Sequence, residues 1–279
     1  MTALIKTVKD IKNILSSSER PIGLLPTMGA LHAGHISLIK ACKGDCKTTV
    51  LYIFVNPLQF GPDEDYEKYP RDLQSDLKIC EENNIDYVFA PAKEEIYPEN
   101  DVEIISPPES LAGDLCGRTR KNFFSGVVTV VKRFFDIIQP DYAYFGEKDL
   151  QQLFVIRWLV KEFKLPIFIR ACSIIREPAG LAFSSRNQYL TKEQRIIACN
   201  LYQSLKLAKQ NIRIGIFPVD KAVLESLIYL SQFSNIKVEY FEARDKENLA
   251  KVKNDKTNGF YFLVAAWVGG VRLIDNIEV

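Results

Sequence analysis

Histidine is almost absent from this chain: the 279 residues hold two, His32 and His35, three positions apart. A side chain that exchanges protons near neutral pH is thus used in one place and nowhere else, which marks that place as a site. It also leaves no histidine elsewhere to activate a cysteine nucleophile. Long hydrophobic runs are missing as well, since no apolar stretch reaches the roughly 18 residues of a bilayer span. The opening Met1-Thr2-Ala3-Leu4-Ile5-Lys6 lacks the apolar core of a signal peptide, so a cytoplasmic protein is expected. A charge excess is lacking too: the balance of +1 argues against a surface that coats nucleic acid. No internal repeat or low-complexity tract is present. The six cysteines, at 42, 46, 80, 116, 172 and 199, form no recognisable zinc spacing, and reduced, mostly buried thiols are expected.

What is present is an average globular composition, 47% hydrophobic and 25% charged, in a chain long enough for two domains. Strand-length apolar runs recur at 21–25, 50–55, 87–90, 141–145 and 167–169, with helical patterns at 72–83, 126–138 and 150–163 between several of them. Alternation of this kind predicts an α/β domain, a Rossmann-like doubly wound parallel sheet, over residues 1–176. A turn at Arg176-Glu177-Pro178-Ala179-Gly180 then changes the texture. Helical patterns at 191–210 and 219–231 precede strand patterns at 236–241, 260–267 and 271–274, so a smaller C-terminal α+β domain is expected over 177–279.

The histidines lie in Pro26-Thr27-Met28-Gly29-Ala30-Leu31-His32-Ala33-Gly34-His35, between the first apolar run and the helical pattern Ile36–Cys42. Parallel sheets bind ligands at the carboxyl ends of their strands. Gly29 and Gly34 let the backbone turn or approach a ligand, and free amides at a helix start favour an anion, so two imidazoles here suit a phosphate chain. The other readings are ordinary polar loop residues or a metal pair, the latter lacking further ligands at zinc spacing.

Four separated segments together resemble the pantoate–β-alanine ligase family of the cytidylyltransferase-like superfamily: Pro26–His35, Phe54-Val55-Asn56-Pro57-Leu58-Gln59-Phe60-Gly61, Phe145-Gly146-Glu147-Lys148-Asp149-Leu150-Gln151-Gln152 and Leu181-Ala182-Phe183-Ser184-Ser185-Arg186-Asn187. A fifth similar stretch is Val268-Gly269-Gly270-Val271-Arg272-Leu273-Ile274-Asp275-Asn276. The resemblance implies an ATP-dependent ligase that joins pantoate to β-alanine through an acyl adenylate, as a homodimer, with the C-terminal domain as a lid. Neither step of that chemistry needs a protein nucleophile. The protein must instead supply donors, positive charge and alignment.

By the same resemblance, His32 and His35 lie against the triphosphate near the amides of Met28 and Gly29, within an ATP-binding run that also takes in Ala30, Leu31, Ala33 and Gly34. His35 is catalytic, as a donor to the phosphates. Lys148, directly after a strand, is placed to neutralise phosphate charge between Gly146, Glu147 and Asp149, and Asp149 can accept from ribose hydroxyls. Arg186 offers a planar charged fork, Ser184 and Ser185 add donors beside Phe183, and the Ile175 backbone meets adenine. Catalytic work is expected of His32, His35, Lys148 and Arg186. Gln59 and Gln152, with Asn56 as a neighbour, are expected on the acid substrate, Gln59 also near β-alanine. Magnesium is expected with ATP, and Asp76, among Asp63, Glu64, Asp65 and Asp72, is the candidate for an indirect contact. One departure stands out: Phe123 replaces a family histidine, so that contact is dispensable or taken over by Asn122, Arg118 or Lys121. Rival readings are a nucleotidyltransferase of the same superfamily acting on a phosphorylated acceptor, and a catalytically silent nucleotide-binding protein.

Overall fold

The computed structural model describes residues 2–62, 64–98, 102–252 and 259–279. Asp63 lies outside the described residues. The chain divides into two compact units, Met1–Glu147 with Gln151–Ser173, and Lys148–Leu150 with Ile174–Val279.

The first unit is built on six parallel strands, β1 (Ala3–Ile5), β2 (Ile22–Thr27), β3 (Thr48–Ile53), β4 (Tyr87–Phe89), β5 (Tyr142–Gly146) and β6 (Phe168–Cys172), in the order β1-β4-β3-β2-β5-β6. Central strands of a parallel sheet are covered on both faces and therefore read as unbroken apolar runs. Ile22, Leu24 and Leu25 of β2 and Val50, Leu51 and Tyr52 of β3 are accordingly buried. One face packs on α2 (Ala33–Asp45), where Leu38, Ile39 and Cys42 meet Leu25, Leu51 and Tyr144. The other packs on α6 (Phe123–Ile138), whose Phe134 ring stacks on Tyr52 at 3.7 Å. Shorter helices α1 (Val8–Leu15), α3 (Leu73–Glu82), α4 (Lys93–Ile96) and α5 (Glu109–Ala112) and the longer α7 (Leu150–Glu162) complete the connections. The doubly wound parallel sheet expected from the sequence is therefore present.

Strand β1 was not expected. Three residues show no period, and only pairing decides them: Ala3, Leu4 and Ile5 lie in register with Tyr87, Val88 and Phe89. Strand order reverses at β2, with β3 and β5 on either side, and β2 pairs with β5 through Gly23–Tyr142 and Leu24–Ala143. This is the switch point at which open sheets hold ligands, and the histidine loop leaves from the carboxyl end of β2.

In the second unit α8 (Lys192–Arg213) and α9 (Val219–Ser231) pack on an antiparallel sheet of β7 (Ile236–Asp245), β8 (Phe260–Val268) and β9 (Val271–Glu278), in the order β7-β8-β9. Leu201, Leu205 and Leu230 share its core with Phe262, Val264 and Leu273. This unit begins at Ile174, close to the turn at 176, and includes Lys148–Leu150.

All six cysteines are free. Burial pushes the Cys42 thiol up, and that of Cys80 to about 12, which makes both poor nucleophiles. Among the described residues, no helix is long and apolar enough to cross a membrane.

Candidate active site

The loop between β2 and α2 is a tight turn held from below. Gly29 (φ +81°) and Ala30 (φ +52°) are both left-handed, a conformation that disfavours side chains. A Cβ on Gly29 would stand 2.7 Å from Asp76 Oδ2 and 3.1 Å from Ile53. The Asp76 carboxylate, from α3, is 2% exposed and takes the Ala30 and Leu31 N–H groups at 3.0 and 2.7 Å. Thr27 Oγ1 accepts from Gly29 N–H and donates to the Tyr52 carbonyl. Burial pushes the Asp76 carboxyl above the usual aspartate range, and the two loop amides pull it part of the way back.

The histidines close the loop onto the helix. His32 is the N-cap of α2: its Nδ1 accepts the Gly34 N–H at 3.1 Å, while His35 Nδ1 accepts the His32 N–H at 3.2 Å. This is a capping box made of two imidazoles, with ring centroids 4.1 Å apart. An Nδ1 that accepts a backbone N–H must keep its lone pair, so the neutral ring carries its proton on Nε2. Both side chains are therefore set by the backbone as Nε2–H donors.

The amides of Gly29, Ala30, Leu31, His32 and Gly34 already face protein acceptors. The loop therefore offers an anion its imidazoles more than the backbone cradle expected from the glycines. Asp76, the candidate for an indirect magnesium contact, has each carboxylate oxygen bonded to a loop amide and anchors the turn. Among the described residues no group of three or more His, Cys, Asp or Glu could hold a metal ion.

Beyond β3, Asn56 opens a short turn, Pro57–Gln59. Only 1% exposed, it donates to Gln59 Oε1 (3.1 Å) and the Gly126 carbonyl (3.0 Å) and accepts from Leu58 N–H (3.2 Å) and Tyr97 OH (2.8 Å). Two donors and two lone pairs are the full capacity of an asparagine. All four bonds of the Asn56 amide are thus made within the protein. It aims Gln59, whose Nε2 donates to Met28 Sδ at 3.1 Å and so reaches the histidine loop. Helix α6 presses directly on this turn, because Gly126 has no side chain: a Cβ there would lie 2.2 Å from the Leu58 carbonyl oxygen. Gly126→Ala is expected to lower stability by about 1–3 kcal/mol, read as a lower denaturation midpoint in urea. An unchanged midpoint would mean that the turn can retreat freely.

Phe123 has a neighbour the sequence did not suggest. The Arg120 guanidinium lies 3.5 Å over its ring, donates to the Gln59 carbonyl and forms a two-bonded pair with Glu64 at 2.7 and 2.6 Å. Arg118 pairs with Asp114. The phenyl ring is thus a platform for a cation that holds the Gln59 segment. Of the paired glutamines, Gln151 is buried and ties Cys116 N–H to the Leu111 and Asp114 carbonyls. Gln152 is partly exposed.

Strand β5 ends at Gly146, and a short turn, Glu147–Asp149, leads into α7. Lys148, counted with the second unit, is largely covered, and its Nζ lies 3.4 Å from Asp149 Oδ1. In the same unit the 175–183 segment folds back on itself, with Phe183 N–H bonded to the Ile175 carbonyl and an antiparallel bridge at Arg176–Ala182. Ser184 then caps a turn, Ser185–Tyr189, its hydroxyl accepting the Arg186 N–H at 3.3 Å. Asn187 locks this loop by donating to Glu177 Oε1 and the Ala182 carbonyl.

The same arrangement of segments is found in known proteins. A family model described as pantoate-beta-alanine ligase matches residues 3–278. The pantothenate synthetase of Thermotoga petrophila is 43% identical over 276 residues, 98% of each chain. That of Caldicellulosiruptor bescii is 42% identical over 278 residues, 99% of this chain and 97% of the relative. This chain belongs to the pantoate–β-alanine ligase family. Among solved structures, the ligase of Thermus thermophilus superposes with a TM-score of 0.95 at 36% identity, covering 100% of this chain and 99% of the other. The Francisella tularensis ligase, described as complexed with beta-gamma ATP and beta-alanine, superposes with a TM-score of 0.82 at 34% identity, covering 100% and 98%.

In this ligase-family chain the residues that sequence reasoning missed, or gave another part, are Asp76, Asn56, Arg120 and Gln151. Asp76, Asn56 and Arg120 bond the backbone of a motif, and Gln151 ties down the 111–116 segment. The one signal available was position: Asn56, Gln151 and Asp76 stand in or near the motifs as polar residues that the fold buries.

Proposed function

We propose that this chain condenses (R)-pantoate with β-alanine, driven by ATP, through a pantoyl-adenylate intermediate. The pantoate carboxylate attacks the α-phosphorus and pyrophosphate leaves. The β-alanine amine then displaces AMP from the mixed anhydride, which yields pantothenate, a precursor of coenzyme A. The single observation that carries this reading is the pair of reciprocally capped histidines at the switch point of the sheet, in a chain matched by the family model over nearly its whole length.

Negative charge grows on the bridging and leaving oxygens of the triphosphate as the α-phosphorus is attacked. Fixed Nε2–H donors on His32 and His35 meet that charge without reorganising, which is the arrangement that lowers such barriers most. Lys148 and Arg186 contribute positive charge to phosphate, and the Ser184 and Ser185 hydroxyls add donors. Gly146, Glu147 and Asp149 border the ribose, and Ile175 and Phe183 the adenine. Gln59 and Gln152 hold pantoate, with Gln59 near β-alanine, as neutral groups able both to donate and to accept. Magnesium, when bound with ATP, would offset phosphate charge. It keeps several waters when bound, and Asp76 would meet it indirectly. A cytoplasmic homodimer completes the proposal, in keeping with free thiols throughout.

The test is AMP formation that depends on both acids. Purified protein with ATP and magnesium should release AMP and pyrophosphate together only when pantoate and β-alanine are both present. Pyrophosphate release without AMP, given a phosphorylated acceptor, would favour the nucleotidyltransferase reading instead.

A further inference from the structure

The Val268–Asn276 stretch resembles the family yet has no part in the proposed reaction. In the second unit its end, on β9, reaches the phosphate-binding lysine. Asn276 is 5% exposed, and its Nδ2 donates to the Lys148 carbonyl at 3.2 Å across 128 residues of sequence. Burying an amide is unfavourable unless its bonds are met, and here they are met by a surrounding built for the purpose. The neighbouring Asp275, also 5% exposed, takes two bonds from Arg176, at 2.6 and 2.9 Å, and accepts the Asn276 N–H at 2.8 Å. Arg176 donates in addition to the Asn276 and Gly180 carbonyls, and its guanidinium lies 3.7 Å from the centre of the Tyr202 ring. Strand pairing with Leu263 fixes the same residue from the other side. The backbone of Asn276 is thus held by a buried ion pair and by the sheet, and its side chain holds Lys148.

We infer that Asn276 is a positioning residue for Lys148: it fixes the Lys148 backbone and so sets the point from which the ammonium meets the phosphates of ATP. The inference rests on the proposed phosphate role of Lys148. Burial pushes the Asp275 carboxyl up, while Arg176, foremost, and the charge of Lys148 pull it down, which agrees with a lysine held on this side of the unit.

A double-mutant cycle tests it, with AMP formation followed at enzyme concentrations high enough to read slow variants. Asn276→Ala is expected to lower kcat/KM for ATP by about 10- to 100-fold, the size of effect of a misplaced group. The KM for β-alanine should hold. In a Lys148→Ala background the same substitution should cost nothing further, because the group it positions is gone. Equal losses in both backgrounds would make Asn276 merely structural and overturn the inference, as would full activity of Asn276→Ala alone. Should that variant not fold, Asn276→Ser, which keeps a donor of shorter reach, takes its place in the cycle with the same outcomes. A near-normal rate for Lys148→Ala by itself would overturn the phosphate role and the inference together. It is distinguishable, since the defect is then missing before Asn276 is touched.

Discussion

Lys148→Ala and His35→Ala should each lower kcat for AMP formation by about 10² or more, the usual cost of removing a preorganised donor from developing charge. The two losses differ in what accompanies them. Lys148 pairs with the half-exposed carboxylate of the adjacent Asp149, so its removal should cost little thermal stability. His35 also closes the capping box on α2, so its removal should cost about 0.5–2 kcal/mol of stability as well. His35→Gln separates the two parts. Glutamine is a natural partner at this capping position and can accept the His32 N–H through Oε1. Stability should return while the rate stays low, because the rigid Nε2–H donor is gone. Near-normal kcat in both alanine variants would defeat the proposed roles. Recovery of rate by glutamine would show that the imidazole acts only as a cap.

Asp76→Asn carries the second large effect, from a residue that no ligand need touch. The carboxylate accepts from two amides, and an asparagine can replace only one of its oxygens. Its amino group would face the other N–H, leaving a buried donor unmet at about 1–3 kcal/mol. The turn carrying Gly29, Ala30 and Leu31 should shift, His32 and His35 with it, and kcat should fall by about 10-fold or more. The pH dependence follows from the raised carboxyl. Protonation replaces an acceptor by a donor facing an amide, so the acid limb of the rate profile should begin above the ordinary aspartate range. For stability the sign is opposite to that of a salt-bridged aspartate. A folded value raised above the unfolded one contributes stability in acid that is lost as pH rises through the folded value. At neutral pH the buried carboxylate therefore costs stability and is retained for the shape of the loop. An Asp76→Asn enzyme with wild-type kcat and an unmoved acid limb would refute this assignment.

The central strands and long helices were legible because their cause is local. Residues 22–25 and 50–55 are unbroken apolar runs because both sheet faces are covered, and α8 and α9 follow helical spacing over many turns. Strand β1 was not legible, since three residues have no period and depend on β4, more than 80 positions away. The histidine motif stood out through scarcity of its residue type and its place between a strand and a helix. Asp76 stood out too, but not as the anchor of the loop. An acidic residue among acidic residues reads as a metal or solvent contact, and the two amides it anchors lie 45 and 46 residues earlier. Asn56 was read as a ligand contact because an asparagine in a motif has free capacity on paper. Tyr97 and Gly126, 41 and 70 residues on, bond its amide within the protein. Arg120 drew no attention, because its role depends on Phe123, Glu64 and Gln59 meeting in one place.

The sequence by itself determined the order of the central strands and long helices, the family, and the residue types suited to phosphate, since periodicity and residue type are properties of neighbours along the chain. Only the tertiary structure decided which polar groups remain available. Hydrogen-bond capacity is filled by partners brought from afar, so Asn56 and the loop amides are engaged, the two imidazoles are fixed as Nε2–H donors, and Lys148 is tied to a strand 128 residues away.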